Sequence, residues 1–207
     1  MMSPSETTRS VRWALEAGYR GFDSAQWYGN EAETGKAIAS FLSSPANTAN
    51  LTRKDIHYTT KLRDNSVSRA KVRSSIDKSL AAIGSTLGYI DLFLLHSPIG
   101  GKEARLASWR AVEDAVLEGR VRVAGVSNYG VRHIEELMGE ELRVRPVVNQ
   151  IEVHPFNTQR EIGEVCERYG IVVQAYAPLA RGMRFVDGRV AGLGEKYGCT
   201  GAQLMVR

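Results

Sequence analysis

The sequence contains only two cysteines among its 207 residues, and it has no long apolar run. Cys166 and Cys199 lie far apart, a spacing that matches neither a disulfide framework nor a zinc motif. No stretch approaches the roughly 18 apolar residues of a membrane-spanning helix. Residues 1–13 also lack the apolar core of a secretory signal. We therefore expect a protein of the reducing cytoplasm that has no membrane partner.

Concentrated positive charge and metal-binding motifs are also missing. Lysine and arginine outnumber the acidic residues by 27 to 23, but they are dispersed and do not alternate with aromatic residues. This dispersion argues against nucleic acid and leaves an anionic small ligand as the expected partner. The motifs H-x-H and H-E-x-x-H are absent, so no metal site is predicted. No repeat or linker divides the chain, which predicts a single domain over residues 1–207.

Six short apolar stretches each run into a polar residue that is capable of chemistry, as expected at the ends of strands. The stretches are RGFD, IHYTTK, IDLFLLH, VRVAGVSN, VVNQIEV and IVVQAYAP. The polar residues that they carry are Asp23, Lys61, His96, Asn128, Gln150 and Tyr176. Segments of helical length and period separate the stretches, and such alternation predicts parallel strands joined by helices. In a (β/α) barrel the carboxyl ends of the strands face one surface, so these residues should converge.

The predicted barrel is incomplete. A closed barrel of this class has eight strands, whereas six are recognisable here. The chain opens with a helix instead of a strand, because Ser3 and Glu6 form a capping box around Pro4 and Gly18 follows as a stop signal. The predicted fold class is therefore α/β, a (β/α)8 barrel whose first and last strands are not recognisable.

Three of these polar residues, together with Tyr28 in the loop after the Asp23 stretch, suit proton transfer to a carbonyl oxygen. Tyrosine acts as an acid near neutral pH only when a nearby cation stabilises its phenolate, and Lys61 is the candidate cation for Tyr28. Asp23 can hold that ammonium group by an ion pair, while His96 can donate a hydrogen bond to a carbonyl. Each residue alone also has a structural interpretation. These are Tyr28 as a rim aromatic, Lys61 as a surface charge, Asp23 as a helix cap and His96 as a core histidine. Only the set favours catalysis.

The remaining histidines favour structural roles. His57 begins a predicted strand, His133 lies in the helical segment VRHIEELM, and His154 precedes Pro155 in a loop. A second pattern, Gly192-Leu193-Gly194, imitates a glycine-rich dinucleotide loop. It lies in VAGLGEKYG, which reads as a helix that ends at Gly198, so it lacks the preceding strand that a Rossmann fingerprint requires.

Several segments together resemble the aldo-keto reductase family from about Arg9 to Arg207. GYRGFDSAQWYGNE is similar to the first family signature and DLFLLHSP to its histidine strand. GVSNYG and VVNQIEVHP are similar to its cofactor-binding segments. The resemblance implies an NADPH-dependent oxidoreductase on a TIM barrel that reduces a small aldehyde or ketone substrate.

Residue by residue, the resemblance places a catalytic tetrad at Asp23, Tyr28, Lys61 and His96, with no substitution. It implies that Tyr28 is the general acid, that Lys61 lowers the pKa of Tyr28, that Asp23 pairs with Lys61, and that His96 orients the carbonyl. It places Trp27 and Ser97, with Tyr28 and His96, around the substrate. The implied ligands of NADPH or NADP share this end of the barrel and are Asp23, Ser127, Asn128, Gln150, Tyr176, Pro178, Leu179 and Arg181. Arg184 is a further candidate for a phosphate contact.

Two alternatives to an active reductase remain open at the level of the sequence. The chain resembles a family member truncated at both ends, which favours a catalytically inactive or regulatory cofactor-binding barrel with weak or no NADPH binding. Lys61 also admits Schiff-base chemistry of the aldolase type, although Asp23 would keep this lysine protonated. The physiological substrate and the oligomeric state leave no signature in the sequence.

Overall fold

The computed structural model describes residues 2–184 and 187–206 and divides the chain into two compact units. The first unit comprises Met1–Ser127 and Glu141–Pro146, and the second comprises Asn128–Glu140 and Val147–Arg207. Arg207, where the resemblance noted above ends, lies outside the described residues. None of the helices in the described part of the chain is long and apolar enough to cross a membrane.

The first unit alternates helices with parallel strands. Its helices are α1 (Pro4–Glu16), α2 (Glu31–Leu42), α3 (Arg69–Ile83) and α4 (Gly101–Leu117). Its strands are β1 (Gly21–Asp23), β2 (His57–Leu62), β3 (Ile90–Leu95) and β4 (Val121–Ser127). Each strand pairs in parallel with the next one along the chain. The predicted alternation of strand and helix is confirmed in this unit.

The second unit repeats the same alternation with fewer strands. Its helices are α5 (Val131–Met138), α6 (Arg160–Arg168), α7 (Gly188–Tyr197) and α8 (Gly201–Met205). Its strands are β5 (Val148–Glu152) and β6 (Val172–Tyr176), which pair in parallel. The six predicted strands are therefore all present, with bounds that differ by one or two residues from the apolar stretches.

The signals at the ends of two helices are confirmed. At α1, the Ser3 side chain accepts from the Glu6 N–H, and the Glu6 carboxylate accepts from the Ser3 N–H at 2.7 Å. This reciprocal pairing satisfies two backbone donors that a helix start leaves open. At α7, Gly198 takes the left-handed conformation as C-cap, so the glycines around Leu193 belong to a helix and not to a phosphate-binding turn.

The core of the first unit explains why its strands read as continuous apolar runs. All six residues of β3 are buried, as expected for a parallel strand covered on both faces. Helix α2 approaches α3 so closely that a Cβ on Gly35 would lie 2.5 Å from the Ile83 carbonyl oxygen. This contact requires glycine at position 35. It fixes α2, and with it the segment that precedes α2, against the rest of the unit.

Candidate active site

The register of the first unit brings three polar side chains to neighbouring strand ends. Asp23 is the last residue of β1, and His96 directly follows β3. Lys61 pairs in register with Leu94 of β3 and lies one residue before the end of β2. The sequence had placed Lys61 as the final strand residue, but the strand continues to Leu62, whose carbonyl accepts from the His96 N–H at 3.4 Å.

A tight turn after β1 carries Tyr28. Residues Gln26–Tyr28 form a 3₁₀ turn in which the Tyr28 N–H donates to the Ala25 carbonyl at 2.9 Å. Gly29 ends the turn in the left-handed region, at φ 64°, where a glycine carries no Cβ penalty. The side chains of Trp27 and Tyr28 are both exposed, so a ligand can reach them.

Lys61 is a buried cation held by two oxygen atoms. The residue is only 1% exposed, and its ammonium pairs with the Asp23 carboxylate and donates to the Ser24 carbonyl at 2.9 Å. Burial lowers the pKa of Lys61 below its usual value, and the Asp23 carboxylate opposes that shift. The ammonium nitrogen lies 5.1 Å from the centroid of the Tyr28 ring. A cation at this distance favours the ionised form of a phenol.

His96 packs against the two aromatic residues of the Gln26–Tyr28 turn. Its ring centroid lies 5.7 Å from that of Tyr28, nearly edge-on at 84°, and 5.4 Å from that of Trp27. Burial, followed by the charge of Lys61, lowers the pKa of His96. The imidazole is therefore neutral at neutral pH, a form in which one ring nitrogen donates a hydrogen bond and the other accepts one.

Together these four residues make a site that can deliver a proton. Tyr28 supplies a hydroxyl group on an exposed residue, Lys61 supplies a positive charge near its ring, and His96 supplies a neutral donor. Asp23 pairs with Lys61, and this pairing favours the charged form of Lys61 against the cost of burying the ammonium. All four residues lie in the first unit.

Glu31 is a partly buried carboxyl group that the sequence did not single out. It opens α2 and is half-buried, and its Oε1 accepts from the Thr60 hydroxyl at 2.6 Å. Thr60 is the immediate neighbour of Lys61 on β2. Burial raises the pKa of Glu31, against the effect of the hydroxyl donors. An acidic residue in the first turn of a helix is so common that its presence indicates no link to the site.

We expect the Glu31→Gln variant to be at least as stable as the parent protein at pH 7. Because the folded state binds the Glu31 proton more tightly than the unfolded state does, the contribution of Glu31 to stability is full below its usual pKa. This contribution is lost as the pH rises through the pKa that Glu31 has in the folded state. The free energy of unfolding of the variant minus that of the parent should therefore rise between about pH 4.5 and 7.

Urea unfolding at a series of pH values measures this difference. The Glu33→Gln variant is the matched control, since it removes a carboxylate from the same helical turn. A difference that stays flat or falls with rising pH would contradict the assignment of Glu31 as a buried carboxyl.

The second unit brings together three of the predicted cofactor ligands. Asn128 adopts a left-handed conformation at φ 61°, and its N–H donates to the Gln150 carbonyl at 3.0 Å. The Tyr176 hydroxyl donates to Asn128 Oδ1 at 2.8 Å. Burial raises the pKa of Tyr176, and the nearby Glu152 carboxylate adds to the shift. Tyr176 therefore remains a neutral hydrogen-bond donor.

Gln150 differs in place from the prediction. It lies in the middle of β5 and not at a strand end, and it is 5% exposed. Its Nε2 donates to the Gln174 side chain on β6 at 3.1 Å. The neighbouring Asn149 is also buried and exchanges hydrogen bonds with the backbone of Tyr129. The apolar stretch marked the strand correctly but did not fix which of its polar residues ended it.

The remaining predicted residues occupy loops and a strand end. Ser127 is the buried last residue of β4 in the first unit, and Ser97 is half-buried directly after His96. Pro178 and Leu179 are half-buried in the loop after β6. Arg181 follows them, with its guanidinium 3.1 Å from the Glu152 carboxylate. The cation that the resemblance assigns to the cofactor loop, Arg181, therefore forms an ion pair with Glu152 in the described structure.

Comparisons with known proteins show similarity to one family of enzymes. A model of the Aldo/keto reductase family matches residues 1–189. An uncharacterized oxidoreductase of Schizosaccharomyces pombe is 45% identical over 207 residues, which are 100% of this chain and 72% of the relative. An aldo/keto reductase structure from Brucella melitensis aligns with a TM-score of 0.86 and 36% identity, covering 99% of this chain and 74% of that one. A Bombyx mori aldo-keto reductase in complex with NADP aligns with a TM-score of 0.87 and 35% identity, covering 99% and 70%.

Proposed function

The chain belongs to the aldo/keto reductase family, and we propose that it reduces an aldehyde or ketone to an alcohol with NADPH. The family and the fold class predicted from the sequence, an incomplete (β/α)8 barrel, are both confirmed by these matches. The single observation that carries the proposed reaction is the cluster of Lys61, Tyr28 and His96 at the strand ends of the first unit.

In the proposed reaction, His96 and Tyr28 receive the carbonyl oxygen of the substrate. Neutral His96 donates an N–H to that oxygen and thereby orients it, a role that its lowered pKa supports. The Trp27 ring packs near the His96 ring, and Ser97 directly follows His96 in the sequence. We propose that these two side chains contact the part of the substrate that lies beyond the carbonyl.

The Tyr28 hydroxyl delivers the proton as negative charge develops on the carbonyl oxygen. Loss of this proton leaves a phenolate, which is stabilised by the Lys61 ammonium 5.1 Å from the centroid of the ring. Asp23 holds the ammonium in place and offsets part of the cost of burying it. The buried charge of Lys61 therefore stabilises Tyr28, the group whose ionisation changes during the reaction.

The Bombyx mori relative was solved with NADP, and the chemistry of the donor set in this chain fits the same cofactor. Amide side chains such as those of Asn128 and Gln150 can satisfy both the donor and the acceptor of a nicotinamide carboxamide. The half-buried ring of Tyr176 offers a face for stacking. We propose that these residues hold the nicotinamide, and that Pro178, Leu179 and Arg181 contact the phosphates. The bound cofactor supplies the hydride.

Turnover measurements test the proposal directly. The purified chain is incubated with NADPH and a panel of aldehydes and ketones, and both cofactor consumption and the alcohol product are measured. We expect alcohol to form in amounts equal to the NADPH consumed, with a parallel NADH reaction to set the cofactor preference. A folded chain that forms no alcohol with any member of the panel would overturn the proposed function.

A further inference from the structure

The loop that carries Tyr28 is closed by a partly buried hydrogen bond between two residues outside the tetrad. Ser24 is 1% exposed, and its hydroxyl donates to Asn30 Oδ1 at 2.7 Å. Ser24 is the first residue after β1, and Asn30 is the last residue before α2. The bond therefore joins the two ends of the segment in which Trp27 and Tyr28 are presented.

Ser24 also contacts the cation of the tetrad. Its N–H donates to the Thr59 carbonyl at 2.8 Å, which extends the pairing of β1 with β2 by one residue. Its carbonyl accepts from the Lys61 ammonium at 2.9 Å. The residue that binds Asn30 on one side thus helps to position Lys61 on the other.

Asn30 is firmly attached to α2 but does not cap it in the usual way. Its carbonyl accepts from both the N–H and the hydroxyl of Thr34, at 3.0 and 2.8 Å. An asparagine at this position normally turns its side chain onto the free N–H groups of the helix. Here no such capping bond forms, and the amide oxygen accepts from Ser24 instead. The side chain serves the loop at the expense of the helix.

We propose that Asn30 is a positioning residue for the tetrad, acting through Ser24. By closing the segment from Ser24 to Asn30, it sets the distance between the Tyr28 phenol and the Lys61 ammonium. This inference rests on the proposed function of Tyr28 as proton donor. The titratable groups that face Tyr28 are Lys61 from β2 and His96 from the end of β3, with Asp23 paired to Lys61.

The kinetic test compares variants of the pair. We expect Asn30→Ala to lower kcat about 10- to 100-fold while KM changes much less, because a small displacement of a reacting group costs this much. The basic limb of the pH–rate profile should move to higher pH, since Tyr28 loses part of the stabilisation of its phenolate. Asn30→Asp keeps an acceptor for Ser24 and should retain most of the parent kcat, which separates loss of the hydrogen bond from substitution as such. Ser24→Ala should reproduce the effect of Asn30→Ala, and the two together should add little.

Asn47→Ala is the matched control. The Asn47 side chain also closes a loop in the first unit, through bonds to Leu42 and Leu51. Its loss should lower the melting temperature without moving kcat or the pH–rate profile. If Asn30→Ala behaves like Asn47→Ala, the role of Asn30 is only structural and the inference is overturned.

A titration without substrate separates this inference from the proposed function. The ultraviolet absorbance of phenolate is followed with pH in each background and in the same background carrying Tyr28→Phe, so that the difference reports Tyr28 alone. We expect the midpoint for Tyr28 to be higher with Asn30→Ala than with Asn30 intact. An unchanged midpoint would overturn the inference. Failure of the parent protein to reduce any carbonyl would overturn the proposed reaction and leave this readout intact.

Discussion

The Tyr28→Phe variant is expected to lose about 10²- to 10⁴-fold in kcat, the range for removal of a general acid. Phenylalanine keeps the ring that packs edge-on against His96 and removes only the hydroxyl. Because the proton is needed only as charge develops on the carbonyl oxygen, KM should change far less than kcat. Steady-state kinetics with the best substrate of the panel measure both values.

The control for this variant is Tyr197→Phe, which deletes a hydroxyl from a tyrosine that is exposed on α7. It should retain the parent kcat. A Tyr28→Phe enzyme with at least a third of the parent kcat would show that another group donates the proton.

The Lys61→Met variant should have the second-largest effect, a loss of about 10²- to 10³-fold in kcat, as for removal of one preorganised electrostatic group. Methionine is long and unbranched enough to occupy much of the space of the buried lysine. The Asp23 carboxylate then loses its partner, but its side chain is 41% exposed and water can solvate it. The variant should therefore fold, and its defect should lie in the ionisation of Tyr28.

The pH dependence distinguishes this explanation from a general loss of structure. Without the Lys61 charge, the basic limb of the pH–rate profile should move to higher pH, as the Tyr28 phenolate loses its stabilisation. In the parent, burial lowers the pKa of Lys61. At pH values between the pKa of Lys61 in the folded state and its usual pKa, the unfolded state therefore binds more protons than the folded state. Stability should therefore rise with pH across that interval, and this rise should be absent in Lys61→Met.

Lys54→Met supplies the control, because Lys54 is exposed in the segment before β2. It should leave kcat and the profile unchanged. If Lys61→Met kept the parent profile and lost only stability, Lys61 would have no electrostatic role in proton transfer.

The strand ends were predictable because burial leaves a strong signal in parallel strands. A strand covered on both faces must be apolar along its length, so the first polar residues at its end stand out. Asp23 and His96 were found in this way, and Lys61 was placed within one residue. Tyr28 could be proposed only as part of a set with Lys61, Asp23 and His96, since a tyrosine in a turn carries no signal of its own.

The connections between these residues were not predictable, because they depend on distant packing. Glu31 is an ordinary first-turn acid until Thr60 of β2 lies against it. Asn30 resembles a helix cap, yet its amide oxygen accepts from Ser24. Gln150 lies inside its strand, where the partner that satisfies its amide is Gln174 of the next strand. In each case the deciding contact comes from a residue that a local sequence pattern does not reveal.

The most direct test of the account is an isotope measurement on the parent protein. The chain is incubated with a reactive aldehyde and NADPH that carries deuterium at the transferable position, and the alcohol is analysed by mass spectrometry and NMR. We predict one deuterium on the carbinol carbon, with the hydroxyl proton drawn from the exchangeable pool that Tyr28 shares with water. An alcohol without deuterium at that carbon, or no alcohol from a folded chain, would contradict the assignment of this site as a reductase.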